Sequence, residues 1–535
     1  MSFLKKAASV GGAVFLSRFL GLVREQVFAY FFGAGMATDA FLVAFRIPST
    51  LRDLFAEGAL SSAFVTTFSR EKDENHKRLM AARVLVGLCF TLALTCFALY
   101  VLAPYLARWM APDFSYVAGK LELTIRLMRM LSPFLFFVGT AALSMGLLNT
   151  LGYFFVPALG PAAFNSLSIL VGGGAAFGLR AQGLTSMVVG FSIGSLVGGL
   201  GQWLLQWPLL AREGYSPLKA FGSVVSSGNV RECVKDPALK RIGGLMIPSV
   251  LAVAAVQINV FMNMIIASSL IEGSVSWMSY AYRLLYFPLG IFGVALSTAA
   301  LPSLSSLRLE GKHHEFEETL CKALRLTWIL GLGAAAGLIA FRLPLVSLIF
   351  EHGRFTHSDT LQTAMALTAF ALALPALNTT KILVQVFQAI DKVWIPSTIS
   401  LVLVVSHYFI ALWGARHYGH VGLALATAIT SFLNAAALAV VLKILRHRLF
   451  DFETFKVILG SLAGVLMLLA LDIAGFSNWL ADLREHSKLV FAVATLASVG
   501  FFGLVYLFVA AIPSRESRQW FQRLTRRLSN RRNEV

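Results

Sequence analysis

Charged side chains recur inside apolar stretches of this sequence, where they must either bind a ligand or pair with one another. Arg18, Arg24 and Glu25 lie within the apolar stretch 8–33. A charged residue at the centre of a membrane helix costs about 2.5–3.5 kcal/mol, whereas each large apolar residue returns only about 0.3–0.6 kcal/mol. Three such charges predict that one side of this helix faces a polar cavity, with a structural ion pair as the alternative.

Two further apolar stretches carry the same kind of residue. The stretch 38–67 contains Arg46, Pro48, Arg52, Asp53 and Glu57, and the stretch 275–306 contains Arg283. Acidic neighbours are too few to balance these arginines, so we expect a net positive interior. Guanidinium groups bind phosphate oxygens through parallel hydrogen bonds, so the pattern favours a phosphate ligand; arginines bonded to helix carbonyls are the alternative. Pro48 predicts a bend in its helix.

The elements that carry these residues are predicted to cross a membrane. Of 535 residues, 57% are hydrophobic and 13% are charged, whereas a soluble domain has about 25% charged residues. Continuous apolar runs of about 20 residues predict an all-α polytopic membrane protein with about 14 transmembrane helices, and they exclude a β-barrel. The predicted spans are 8–33, 38–67, 80–107, 123–150, 157–179, 184–210, 241–270, 275–306, 320–341, 361–388, 394–415, 420–445, 454–475 and 488–512.

Basic residues are distributed unevenly among the predicted loops. The net charge of +18 is concentrated in the loops that follow spans 2, 6, 8 and 12 and in the segment 513–535. Because basic loops stay in the cytoplasm, both termini are predicted to be cytoplasmic. The segment 513–535 is predicted to be an amphipathic helix on the anionic membrane surface, or else a disordered basic tail. No nucleic-acid-binding motif accompanies the charge, so nucleic acid is not a predicted partner.

Two pairs of short segments repeat at a nearly constant offset. Ala44-Phe45-Arg46 matches Ala281-Tyr282-Arg283 at an offset of 237, and 59–63 matches 295–299 at an offset of 236. Six spans separate the copies, so two pseudo-symmetric six-helix lobes of equal orientation are expected around a central cavity, with chance similarity as the alternative. The predicted divisions are an N-lobe, a cytoplasmic linker, a C-lobe, two extra C-terminal helices and a basic tail: 1–212, 213–240, 241–448, 449–512 and 513–535.

The sequence contains no familiar catalytic motif, so an enzyme is not expected. It has no nucleophile elbow, HExxH or Walker A sequence, and its four cysteines form no C-x-x-C pair. Two groups of residues lack the spacing of a metal site, and we interpret both as solvated loop residues: His313-His314, and Glu351-His352-Gly353-Arg354 with His357 and Asp359. No metal or cofactor is predicted, and the identity of any coupling ion stays open.

Several motifs are specific enough to compare with a known family. They lie at 17–25, 33–35, 38–41, 45–48, 51–61, 282–284, 288–292 and 350–355. Together they resemble the MurJ (MviN) family of lipid II flippases in the MOP exporter superfamily, and the similarity extends over essentially the whole chain. Thr66 departs from the family, which often has proline there.

The resemblance implies a bacterial inner-membrane transporter. Its substrate would be lipid II, an undecaprenyl-diphosphate-linked disaccharide peptide, moved between leaflets by alternating access, with a groove for the polyprenyl tail at 449–512. Cell-wall synthesis or division proteins would be further partners. The family's cavity arginines match Arg18, Arg24, Arg52 and Arg283, and its acidic positions match Asp39 and Glu57. From the charge pattern we add the supporting residues Glu25, Arg46, Pro48 and Asp53.

Other functions remain as alternatives. A polysaccharide-lipid flippase or a cation-coupled drug exporter is another MOP-type carrier, but an exporter of cations would need acidic cavity residues. A polytopic enzyme acting on lipid-linked sugars would need a carboxylate or histidine cluster at a membrane face. A structural scaffold would leave the arginines within the apolar stretches unexplained.

Overall fold

The chain is mainly helical in the part that the computed structural model describes, which is residues 3–54, 60–68, 73–216, 222 and 237–512. Within these ranges there is no β-strand, and the predicted all-α class is confirmed. Contacts divide the chain into two compact units, Met1–Ser276 with His352–Phe355 and Trp277–Glu351 with Thr356–Val535. The first unit therefore extends beyond residue 212, and the lobe boundaries stay a prediction.

The first unit is built from long apolar helices joined by short turns. Helix α1 packs on α7, α2 packs on α5, and α6 and α7 both pack on α9. A π-helical turn, Ser168–Gly173, joins α7 to α8. The helices are α1 Phe3–Phe32, α2 Met36–Leu54, α3 Leu60–Phe68, α4 Glu74–Met110, α5 Lys120–Leu131, α6 Phe134–Thr150, α7 Phe155–Leu167, α8 Gly174–Gly178, α9 Leu184–Leu204, α10 Trp207–Arg212 and α11 Pro237–Ser268.

The second unit begins within α12 and contains the remaining helices. Helix α14 packs on α17 and α19, and α19 packs on α21. A second π-helical turn, Leu289–Gly293, follows Pro288 and joins α12 to α13. The helices are α12 Ser274–Pro288, α13 Val294–Leu309, α14 His313–Ala340, α15 Arg342–Phe350, α16 His357–Ala371, α17 Leu374–Ala389, α18 Trp394–Ile444, α19 Phe452–Ile473, α20 Phe476–His486 and α21 Lys488–Ala511.

The protein is a multi-pass membrane protein. Within the described residues, 8 helices are long and apolar enough to cross a bilayer, or 9 if α16 and α17, bent by 41° at their junction, form one span. Helix α18 has 51 residues and contains Gly419, whose φ of 58° and ψ of −140° are not helical. The predicted spans 394–415 and 420–445 meet at this point. The count of fourteen spans stays a prediction.

Two segments depart in detail from the sequence-based expectation. Helices α15 and α20 lie in segments that were predicted to be loops. They have only 9 and 11 residues, which is too short for a membrane span and for a clear helical periodicity. Helix α2 continues through Pro48 to Leu54, with the Ser49 hydroxyl donating to the Arg46 carbonyl at 2.9 Å. The expected bend at Pro48 stays a prediction. The segment 513–535 lies outside the described residues.

Candidate functional site

Arg24 on α1 is held between a carboxylate and an aromatic ring. Its Nη2 lies 2.6 Å from Oε1 of Glu25, and the two side chains are 12% and 10% exposed. Its guanidinium carbon lies 5.1 Å from the centroid of the Phe164 ring on α7. Arg24 and Glu25 therefore form an ion pair, and the polar cavity predicted beside this helix stays a prediction. This pairing also lowers the cost of carrying two of the three α1 charges within an apolar helix.

The other predicted arginines differ in exposure. Arg18 on α1 is exposed, whereas Arg46 and Arg52 on α2 are partly buried. Arg283 on α12 is exposed and belongs to the second unit. Its placement beside the arginines of the first unit stays a prediction. Two acidic residues predicted to support the site also lie in the stretch 38–67. Glu57 lies outside the described residues, and for Asp53 only the helical backbone of α2 is described.

Asp39 is at the centre of a buried cluster in the first unit. The Asp39 side chain is 2% exposed, and its Oδ2 accepts from Lys120 Nζ at 2.8 Å. The Gly273 N–H donates to Oδ2 at 3.0 Å, whereas the Ser276 N–H, at 3.0 Å, and the Ser276 hydroxyl both donate to Oδ1. Asp39 thus joins the first turn of α2 to α5 and to the first turn of α12. Its described contacts are structural, and they include none of the arginines predicted to bind the diphosphate.

Lys120 is a residue whose role the sequence did not reveal. From sequence it counts as a loop charge, yet it begins α5, is 3% exposed and lies 4.2 Å from the Phe114 ring centroid. Its partner Asp39 is 81 residues away. Local patterns indicate neither the burial nor the pairing.

The turn after α1 lies against the short segment His352–Phe355 of the same unit. The Arg354 N–H donates to the Tyr30 carbonyl at 3.0 Å. Gly33 and Gly353 both have φ of +62°, and a Cβ on either one would meet the backbone of the opposing segment. Both positions need glycine because of the positive φ and the close approach.

The Glu351 carboxylate is the centre of a polar network in the second unit. Arg484 from α20 pairs with this carboxylate and also donates to the Glu351 carbonyl. Thr360 Oγ1 donates to it at 2.8 Å, and His357 Nδ1 lies 3.3 Å away. Burial raises the pKa of Glu351, but the hydrogen bonds from Thr360 and Arg484 outweigh it and leave that pKa below its ordinary value. The solvated-loop interpretation is wrong for this residue.

Asp359 is likewise structural rather than solvated. It is 7% exposed and forms a capping box with Thr356 at the start of α16. The Trp277 indole N–H donates to it at 2.9 Å. His313 and His314 instead lie exposed in the first turn of α14. Among the residues that the structure describes, no group of three His, Cys, Asp or Glu side chains could hold a metal ion.

Comparison with solved structures shows which folds this chain resembles. The fold matches an inward-facing multidrug resistance MATE family transporter of the MOP superfamily with a TM-score of 0.66 at 16% identity, covering 80% of this chain and 94% of that one. At that identity the match shows a shared fold alone. A structure titled lipid II flippase MurJ, inward closed conformation, matches with a TM-score of 0.73 at 27% identity, covering 94% and 98% of the two chains.

Sequence comparison identifies the family. The family model for lipid II flippase MurJ matches residues 28–494. A probable lipid II flippase MurJ from Vibrio cholerae is 36% identical over 445 residues, covering 81% of this chain and 82% of that protein. The chain belongs to the MurJ family of lipid II flippases, which are transporters and not enzymes.

Proposed function

We propose that this chain flips lipid II from the cytoplasmic to the periplasmic leaflet of a bacterial inner membrane, with both of its own termini in the cytoplasm. Its family membership supports the substrate and the membrane. In this mechanism the lipid diphosphate binds a set of arginines in an alternating-access cavity: Arg18, Arg24, Arg52 and Arg283.

The arrangement around Arg24 is the observation that carries the proposal. A guanidinium within a 30-residue apolar helix contacts the Glu25 carboxylate and lies over the Phe164 ring. Phosphate oxygens are its natural ligands, because the planar fork can donate two parallel hydrogen bonds. Glu25 neutralises the guanidinium when no substrate is bound, and the diphosphate competes for the same N–H groups.

Transport of this kind requires no nucleotide hydrolysis. Moving one negative charge outward across an inside-negative membrane is favourable by about 2.3 kcal/mol per 100 mV. A diphosphate therefore couples the transport to the membrane potential. The polyprenyl tail stays in the bilayer beside α19 and α21, whose outward faces expose Leu466, Leu496 and Leu504. Cell-wall synthesis or division proteins are further candidate partners.

The test is lipid II flipping by the full chain in proteoliposomes. Arg24→Ala and Arg283→Ala are expected to abolish flipping while membrane insertion is retained. Arg308→Ala is the matched control, because Arg308 is an exposed arginine in the last turn of α13, and its flipping rate should equal that of the native chain. Native rates in both cavity variants would remove the arginines from the mechanism. An inside-negative potential should accelerate flipping, and the absence of any effect would contradict the coupling.

A further inference from the structure

Helix α7 is tied to the backbone of α1 two turns before Arg24. Asn165 on α7 is 7% exposed, and its side-chain amide donates to the Ser17 carbonyl at 3.0 Å. The amide also lies against Gly21, where an added Cβ would come within 3.4 Å of it. The two helices therefore approach closely at this crossing, and their register there is defined by a specific hydrogen bond.

The residue beside this tie carries the ring on which Arg24 lies. Side chains on a helix point towards its N-terminus, so the long Arg24 side chain reaches back from its own position towards the crossing. Phe164 is 4% exposed, and its ring centroid is 5.1 Å from the guanidinium carbon. The ring also packs on Phe134 at 5.5 Å, which in turn packs on Phe45 at 5.0 Å. The Phe164 ring is thus fixed by its neighbours.

We propose that Phe164 is a positioning residue for diphosphate binding, acting as an aromatic platform that orients the Arg24 guanidinium. This rests on the proposed function of Arg24. A phenyl ring attracts the cation through its π face but offers no oxygen or nitrogen acceptor, so it leaves the guanidinium N–H groups available to phosphate oxygens. Holding the guanidinium in one orientation also removes the entropy that a mobile arginine would lose on binding.

If the ring orients the guanidinium, residue 24 must have a planar cationic group and not only a positive charge. A lysine there keeps the positive charge but has no planar fork to lie on the ring. Leucine at 164 keeps an apolar side chain but removes the π face. Tyrosine at 164 keeps the π face. The proposal therefore predicts that Phe164→Tyr retains diphosphate binding and that Phe164→Leu weakens it.

The experiment measures the affinity of the purified full chain for undecaprenyl diphosphate in detergent, with undecaprenol as the reference ligand that lacks the headgroup. Phe164→Leu is expected to weaken diphosphate binding about tenfold, the size of a desolvated cation–π contact, and Phe164→Tyr by less than about twofold. In an Arg24→Ala background, Phe164→Leu should have no further effect, because the interaction it removes is already lost. Undecaprenol binding should not change in any variant.

A matched control separates positioning from general packing. Phe191 is a buried ring of the same unit that packs on Phe28, Phe32 and Phe41. Phe191→Leu should lower the melting temperature about as much as Phe164→Leu does, yet leave the affinity for undecaprenyl diphosphate unchanged.

The possible failures are distinguishable. If Arg24→Ala itself leaves diphosphate binding intact, the proposed function of Arg24 fails. If Arg24→Ala abolishes binding but Phe164→Leu does not weaken it, the platform is overturned while the proposed function stands. Equal loss from Phe164→Leu in the native and Arg24→Ala backgrounds, or equal loss from Phe191→Leu, would also overturn the platform.

Discussion

Ser276 donates two hydrogen bonds, from its backbone N–H and from its hydroxyl, to the same oxygen of Asp39. The two residues are 237 positions apart, which is the offset at which Ala44-Phe45-Arg46 recurs as Ala281-Tyr282-Arg283. They therefore occupy corresponding places at the starts of α2 and α12.

Replacing Asp39 should be more damaging than replacing its cationic partner. Asp39→Asn leaves the buried Lys120 ammonium without its counter-ion, and breaking a buried pair in this way costs about 3–5 kcal/mol. Lys120→Met leaves the Asp39 carboxylate with its three donors on Gly273 and Ser276, so we expect a smaller loss. The measurement is the melting temperature of the full chain in one detergent.

A solvent-exposed lysine–carboxylate pair supplies the control for this prediction. Lys312 and Glu310 are 2.7 Å apart but 49% and 51% exposed, so Lys312→Met should leave the melting temperature nearly unchanged. Equal melting temperatures for Asp39→Asn and Lys312→Met would show that the buried cluster does not contribute as its geometry indicates.

Gly353→Ala should destabilise the contact between the segment His352–Phe355 and the end of α1. The substitution requires a left-handed conformation, which costs about 1–2 kcal/mol for a residue with a Cβ, and that Cβ would meet the Tyr30 backbone. Gly311 has a similar φ of +70° but open space around it, so Gly311→Ala carries the conformational cost alone. We expect a clearly lower melting temperature for Gly353→Ala than for Gly311→Ala. If the two variants have the same melting temperature, the close approach to Tyr30 does not contribute to the loss of stability.

The Glu351 network should make stability depend on pH in the acid range. Because the folded pKa of Glu351 lies below its ordinary value of 4.5, its contribution is present above that value and is lost as the pH falls through the folded pKa. Arg484→Gln removes hydrogen bonds that lower this pKa, so the folded pKa moves back towards its ordinary value and the loss of stability in acid should become smaller. Melting temperatures between about pH 4 and pH 7 test this.

Two variants identify the group responsible for this acid transition. Glu351→Gln should flatten the profile, since the titrating carboxylate is gone. His357→Gln should leave the Glu351 transition in place, because His357 is 70% exposed and its contact with Glu351 is a long one. A profile that persists unchanged in Glu351→Gln would assign the acid transition to another group.

The sequence indicates the helices of this fold better than their tertiary partners. Long apolar runs fix the class, and they place Arg18 and Arg24 on α1, Arg52 on α2 and Arg283 on α12. Each of these inferences depends on local composition and spacing. The position of each apolar run in the sequence is thus enough to identify the helix that carries a candidate residue.

Long-range pairing is what a single sequence does not contain. Glu351 and Arg484 are 133 residues apart, and Lys120 resembles any loop charge until Asp39 is seen beside it. The two π-helical turns are equally hidden, because they add a single residue to a helical turn and leave no distinct pattern. Charged residues near helix ends were therefore assigned to solvent although the fold buries several of them.

The helical hairpin of α19 and α21 should depend on one aromatic contact. Tyr506 on α21 is 2% exposed, its hydroxyl donates to the Ile329 carbonyl on α14 at 2.9 Å, and its ring fills the space beside Gly464 on α19. A Cβ at Gly464 would come within 2.6 Å of that ring. Gly464→Ala should displace Tyr506 and destabilise the protein by about 1–3 kcal/mol, as overpacking does.

Gly503 on α21 is the matched control, because nothing lies within 4 Å of an added Cβ there. Gly503→Ala should be neutral or stabilising, since alanine favours a helix over glycine by about 1 kcal/mol. Combining Gly464→Ala with Tyr506→Leu should cost less than the sum of the two single changes, because the smaller side chain relieves the clash. Strict additivity in melting experiments would mean that the hairpin is held by contacts other than the Tyr506 ring.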